Sequence, residues 1–127
     1  MNAFTYSIGD HTPLANENTR LAIIPAGIQK KTGLLSMLAA NLKFPDYFGG
    51  NWDALEECLA DLSWIPEGQV ILYHKDLPLI ENPIELRNYL QVLENAVAER
   101  VPVILKVIFQ EQYRNQIITL LAPRVEG

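Results

Sequence analysis

Three short runs of branched apolar residues constrain the fold more than anything else in this chain: RLAIIPAG (residues 20–27), QVILYH (69–74) and PVILKVIF (102–109). Each is of strand length, and Pro or Gly punctuates their ends. Between successive runs lies enough chain for helices. Strands that alternate with helices form a parallel sheet joined by right-handed crossovers. Runs this apolar suit strands covered on both faces.

The intervening stretches carry helical spacing. In KTGLLSMLAANLK (31–43) the apolar positions Leu34, Leu35, Leu38 and Leu42 share a side, with Thr32 as a candidate cap. FPDYFGGN (44–51) breaks both periods at Pro45 and at the Gly49-Gly50 pair. Asn51 is a good N-cap for a second helix that runs to about residue 63, before Pro66 and Gly68. LPLIENP (77–83) is a break, and residues 84–100 form a long amphipathic helix with Leu86, Leu90, Leu93 and Val97 on one side.

The expected fold is therefore α/β. It has a small three-stranded parallel sheet in the order 1-2-3, from residues 21–25, 70–73 and 103–109, with helices packed on it. An extra N-terminal edge strand near residues 4–8 and a C-terminal helix in QEQYRNQIITLLA are compatible with that plan. A chain of 127 residues, half of them apolar, is expected to be one domain spanning residues 1–127. Leu35, Leu38, Leu55, Leu59, Ile71, Leu90, Leu93 and Ile104 are expected in its core.

Several function classes are disfavoured. Cys58 is the only cysteine, so no internal disulfide forms, and a reducing, cytoplasmic address is expected. The start MNAFTYSIGDHTP has no basic segment followed by an apolar run, so no signal peptide is expected. The apolar stretches fall far short of the ~20 residues that span a bilayer. His11 and His74 stand alone, no HxxxH, CxxC or GxSxG pattern occurs, and Cys58 falls on an apolar helix face. Neither an enzyme nor a cofactor or metal site is expected.

Charge is distributed unevenly. Between Lys43 and Lys75 there is no Lys or Arg, while Asp46, Asp53, Glu56, Glu57, Asp61 and Glu67 give that window −6; the rest of the chain is +1. Direct nucleic-acid binding relies on Lys and Arg meeting phosphates. This pattern points instead to a cationic partner. On a wheel of about 100° per residue, Glu57 lies about 40° and Asp61 about 80° from Asp53. Ala54, Leu55, Cys58, Leu59 and Leu62 fill the opposite, core-facing side. Like charges four residues apart repel by about 0.2–0.5 kcal/mol per pair. A first-turn Asp53 suits the helix dipole, but Asp61 near the far end does not. A solvated helix face explains most charged stripes, yet it does not explain an acid at that end or the missing bases. An interaction surface explains both. The wheel also puts Trp64 on the acidic side. In the preceding loop, Phe48 or Trp52 is the expected anchor and Tyr47 the residue presented outward.

The run FPDYFGGNWDALEECLADL resembles the barstar family of ribonuclease inhibitors. The matching motif is a Pro-acid-aromatic-aromatic-Gly loop (Pro45, Asp46, Tyr47, Phe48, Gly49) followed by Asn51, Asp53, Ala54 and Leu55 at the opening of an acidic helix. The shared unit covers about residues 20–109. The resemblance implies a protein that is monomeric when free. It would inhibit a basic, barnase-type extracellular ribonuclease or a related toxin by placing carboxylates where RNA phosphate would sit. It also implies that Tyr47 packs on the catalytic histidine of the nuclease. The implied partner-binding set is Asp46, Tyr47, Gly49, Asn51, Asp53, Glu56, Glu57 and Asp61. Two positions depart from the best-known member: Glu57 stands where it has an aspartate and Glu56 where it has a tryptophan. A further acid on the third helix is expected near Glu94 or Asn95. The alternative is a domain of the same fold that binds a different cationic partner and inhibits no nuclease.

Overall fold

The computed structural model describes residues 3–98 and 103–122. Strand β1 (Thr5–Ser7) and β2 (Thr19–Ile24) precede helices α1 (Lys31–Leu42) and α2 (Trp52–Asp61). Then come β3 (Gln69–His74), α3 (Pro83–Ala98) and β4 (Ile104–Gln110), and a short 3-10 turn leads into α4 (Arg114–Leu121). The sheet is parallel throughout, in the order β1-β4-β3-β2. The three expected strands thus lie side by side in chain order, and the short N-terminal strand joins the β4 edge.

Alternation along the strands divides the core. Ala22, Ile24, Val70, Leu72, Leu105, Val107 and Phe109 face the helices and merge with Leu34, Leu38, Leu55, Leu59, Leu90 and Leu93 in the main core. Ile71, Tyr73 and Ile108, with Leu21 against them, form a small cluster on the other face. Segment 8–18 connects the two edges of the sheet, and there Asp10 accepts a hydrogen bond from the Tyr73 hydroxyl (3.1 Å).

That second face corrects one expectation. Ile104 is 62% exposed, not buried: with Lys106 it lies at the start of β4 on the face opposite the main core, where the small cluster of Ile71, Tyr73 and Ile108 does not reach. The other seven expected core residues are buried.

Helix ends also differ in detail. Thr32 does not cap α1: the helix starts at Lys31, Lys30 occupies the cap position without a side-chain bond, and Thr32 lies within the first turn. α3 begins at Pro83, where a missing N–H costs nothing. Asn82 caps it by accepting from the Glu85 amide. Residues 99–100 at the expected helix end and Pro102 at the expected strand start lie outside the described residues. α2 ends at Asp61, and Leu62 turns left-handed (φ 49°) with its side chain buried. The chain therefore leaves the helix before Trp64. Its indole donates to the Leu42 carbonyl (2.9 Å) and packs edge-on against Phe44, away from the acidic stripe.

His74, which stands alone in the sequence, is the last residue of β3. It is completely buried on the helix-facing side of β3, stacked on Phe109 with ring centroids 4.0 Å apart. Its Nδ1 lies 2.9 Å from the Ile108 carbonyl, and its Nε2 lies 2.7 Å from the Tyr89 hydroxyl. A carbonyl only accepts, so Nδ1 carries the proton and Nε2 accepts from Tyr89. Burial holds the imidazole neutral, with its pKa lowered to about 3, and pushes the Tyr89 phenol upward.

Candidate functional site

The acidic segment is built from its loop upward. The Phe48 amide bonds back to the Pro45 carbonyl (3.0 Å), and the Phe48 ring packs on Phe44, 4.9 Å between centroids. This anchor turns Tyr47 outward, 73% exposed. Asp46 is exposed beside it. Of the two glycines, Gly50 is the one that the backbone requires, at φ 68°. Gly49 has no such constraint, and a Cβ there would meet only ordinary contacts. What Gly49 contributes is an exposed stretch of bare backbone.

Asn51 caps α2, its Oδ1 accepting from the Ala54 amide (2.8 Å). The next residue, Trp52, is held on three sides. Its indole N–H donates to Glu85 of α3 (3.0 Å), its ring lies 5.9 Å from Tyr89, and the Lys31 ammonium sits 5.2 Å from the ring centroid. Leu55, Cys58 and Leu59 then lock the inner face of the helix into the core. Burial comes first in raising the Cys58 thiol pKa, with the Asp61 and Glu57 charges adding to it. Cys58 is therefore a packed thiol and not a nucleophile.

The outer face carries Asp53, Glu57 and Asp61, all exposed. Glu56 is half-buried and accepts a hydrogen bond from Asn95 Nδ2 of α3 (3.0 Å). Among the described residues the ion pairs are Arg20–Glu67 and Arg114–Glu111, so none involves Asp46, Asp53, Glu56, Glu57 or Asp61. Glu67 leaves the acidic group. Arg20 grips it through two nitrogens (2.9 and 3.2 Å), and this hydrogen bonding lowers its pKa. The surface acidity thus belongs to five carboxylates rather than the six counted along the chain.

Sequence spacing could not show what α1 and α3 add. A groove of about 390 Å³ flanks the start of α2, lined by Lys31, Trp52, Asp53, Glu56, Asn88 and Gln91 among others. Glu94 and Asn95 both line up with Gln91 on α3, and of the two it is Asn95 that reaches Glu56. Lys31 brings a base to the one quarter of the sequence that has none. The only signal for it is its place at the head of an adjacent helix.

The acidic face is a ridge with a shallow groove beside it, a shape suited to another protein more than to an enclosed small molecule. A second depression, of about 680 Å³, lies elsewhere, at the carboxyl ends of the strands near Asp10, Lys75 and Gln110. Two of its polar groups are tied together through Tyr73, whose hydroxyl donates to Asp10 and accepts from Gln110. It carries less chemistry than the ridge. Among the described residues no group of three His, Cys, Asp or Glu side chains is placed to hold a metal ion. No described helix is long and apolar enough to cross a membrane. No curated protein matches the chain. Residues 20–114, which contain the ridge, its loop and the three core strands but for Thr19 at the start of β2, match the family described as barstar (barnase inhibitor), and the chain belongs to the barstar family.

Proposed function

We propose that this protein inhibits a basic, barnase-type extracellular ribonuclease by occupying its active site, acting within the cytoplasm as the cell's protection against it. The observation that carries this reading is the row of carboxylates on α2, exposed and without an ion pair among the described residues, directly after an outward-facing tyrosine. Such a row is unfavourable in the free protein and becomes favourable against a cationic, phosphate-binding cleft.

In this reading Asp53, Glu57 and Asp61 take the place of successive RNA phosphates. Tyr47 supplies a rigid aromatic contact beside them, and Asp46 adds charge at the loop. Gly49 leaves the loop backbone open to close approach. Asn51 fixes the helix start, and Glu56 extends the acidic surface toward α3. No cofactor and no catalytic step is required of this chain, and the free form is a monomer.

The departures at Glu56 and Glu57 favour a second reading, in which the same surface binds a different cationic protein. Titrating barnase-catalysed RNA cleavage with the purified protein separates the two. Stoichiometric inhibition that Asp53→Ala weakens supports the first reading. Full RNase activity at excess protein refutes it and leaves the second.

A further inference from the structure

Lys31 is an anomaly within the acidic surface. Folding brings this base from α1 into the groove that Asp53 and Glu56 line, and holds it over the Trp52 ring. It is half-buried, yet it forms no ion pair among the described residues, not even with the two acids that share its groove. An ammonium has three donors, and a ring face engages the charge without using an acceptor lone pair. The facing wall holds the amides of Asn88 and Gln91, which both donate and accept. A surface selected only for negative potential gains nothing from a fixed cation at this point, since it lowers the field that attracts a cationic partner.

We propose that Lys31 is a specificity-determining residue of the interface: it receives a carboxylate that the partner carries within its otherwise cationic surface, while Asp53 and Glu56 take the partner's neighbouring bases. This rests on the inhibitor reading above. The recognised feature is a mixed-charge cluster, an acid set among bases, and the groove of about 390 Å³ has room for side chains of that kind. Nucleases lacking such an acid would leave Lys31 desolvated and unpaired, and would be rejected.

The test measures association and dissociation rates with barnase as probe, together with denaturant midpoints, for the wild type, Lys31→Met, Lys31→Glu and Lys31→Arg. Met keeps an apolar stem on Trp52 and drops the charge, and Arg keeps the charge. Loss of a charged hydrogen-bonding partner should weaken the complex about tenfold or more for Lys31→Met, and further for Lys31→Glu. The change should lie in faster dissociation, while association holds or quickens as the surface becomes more acidic. Lys31→Arg should stay near the wild type. General electrostatics predicts the opposite sign, so tighter or unchanged binding by Lys31→Met overturns the inference. Weakening that merely tracks a lowered midpoint also overturns it, reducing Lys31 to a clamp on Trp52. If the wild type itself does not bind barnase, the inhibitor reading falls and this inference falls with it.

Discussion

The buried His74 makes the stability of this protein sensitive to mild acid. In the unfolded chain an imidazole titrates near its ordinary value of about 6.5. In the fold burial lowers its pKa to about 3. A group depressed in this way contributes stability that is fully present above the unfolded pKa and is lost as pH falls toward the folded one. From pH 8 to pH 5 the unfolded chain takes up a proton that the fold refuses, which removes about 2 kcal/mol; the slope approaches about 1.4 kcal/mol per pH unit. Carboxylates scarcely contribute in that window. Asp10, bonded by the Thr12 and Tyr73 hydroxyls, and Glu67, bonded by Arg20, are both held below the usual carboxylate range. Their losses begin only near the ordinary carboxylate pKa of about 4. The assay is chemical denaturation at half-unit steps between pH 5 and pH 8. His74→Gln should be less stable at pH 8, since an amide only approximates the bonds to Tyr89 and Ile108, but its profile should be nearly flat. A wild-type profile flat within about 0.5 kcal/mol would refute the claim that His74 is locked neutral between Phe109 and Tyr89.

Other outcomes follow from the ridge and the core. Glu57→Ala should leave the fold as stable or slightly more so, because it removes two repulsions of about 0.2–0.5 kcal/mol each. It should weaken inhibition of barnase by about 2 kcal/mol or more in titrations of RNA cleavage, the usual scale for an interface hot spot, to which the barnase–barstar pair itself contributes. Glu57→Ala that inhibits like the parent yet unfolds more readily would make the stripe structural. Leu59 is fully buried, so Leu59→Ala should cost about 2–5 kcal/mol in denaturant unfolding. Association with barnase, followed by stopped flow, should slow as the Debye length shrinks from ~30 Å at 0.01 M salt to ~8 Å at 0.15 M. A rate unaffected by salt would argue against steering by the five carboxylates.

The fold was legible because each level of the sequence agreed. The expected strand over residues 70–73 is β3 with one more residue at each end, and the other two core strands shift by one or two residues at their ends. Ile104 was misplaced because a continuous apolar run hides its alternation. The one clue was Lys106 inside that run, two residues on and on the same face, where Ile104 and Lys106 are both exposed. Trp64 was misplaced because the wheel was extended past Leu62, where the backbone turns left-handed. At the ridge, helical spacing put Asp53, Glu57 and Asp61 on one outer face, where all three are exposed. It could not locate Lys31, Asn88, Gln91 or the reach of Asn95, because these depend on how α1 and α3 pack beside α2. Nor could spacing pair His74 with Tyr89, fifteen residues away on another element.

The same packing explains how α2 tolerates a row of like charges. Fully burying a leucine is worth about 1.5–3 kcal/mol. Leu55, Leu59 and Leu62 are all fully buried, and the Asn51 cap adds about 1 kcal/mol. Two repulsions of a few tenths each, between Asp53 and Glu57 and between Glu57 and Asp61, are small beside these terms. Trp52 contributes in a different way. Held by Glu85, Tyr89 and Lys31, it ties the first turn of α2 to two other helices, and the first turn is where an isolated helix frays. The carboxylates are thus carried on a support that is fixed before any partner arrives. A rigid charged ridge loses little conformational entropy on binding, so more of its electrostatic attraction survives as affinity. The Tyr89–His74 bond beneath Trp52 extends that support into the sheet, which places a buried, acid-sensitive pair directly under the helix that carries the protein's proposed function.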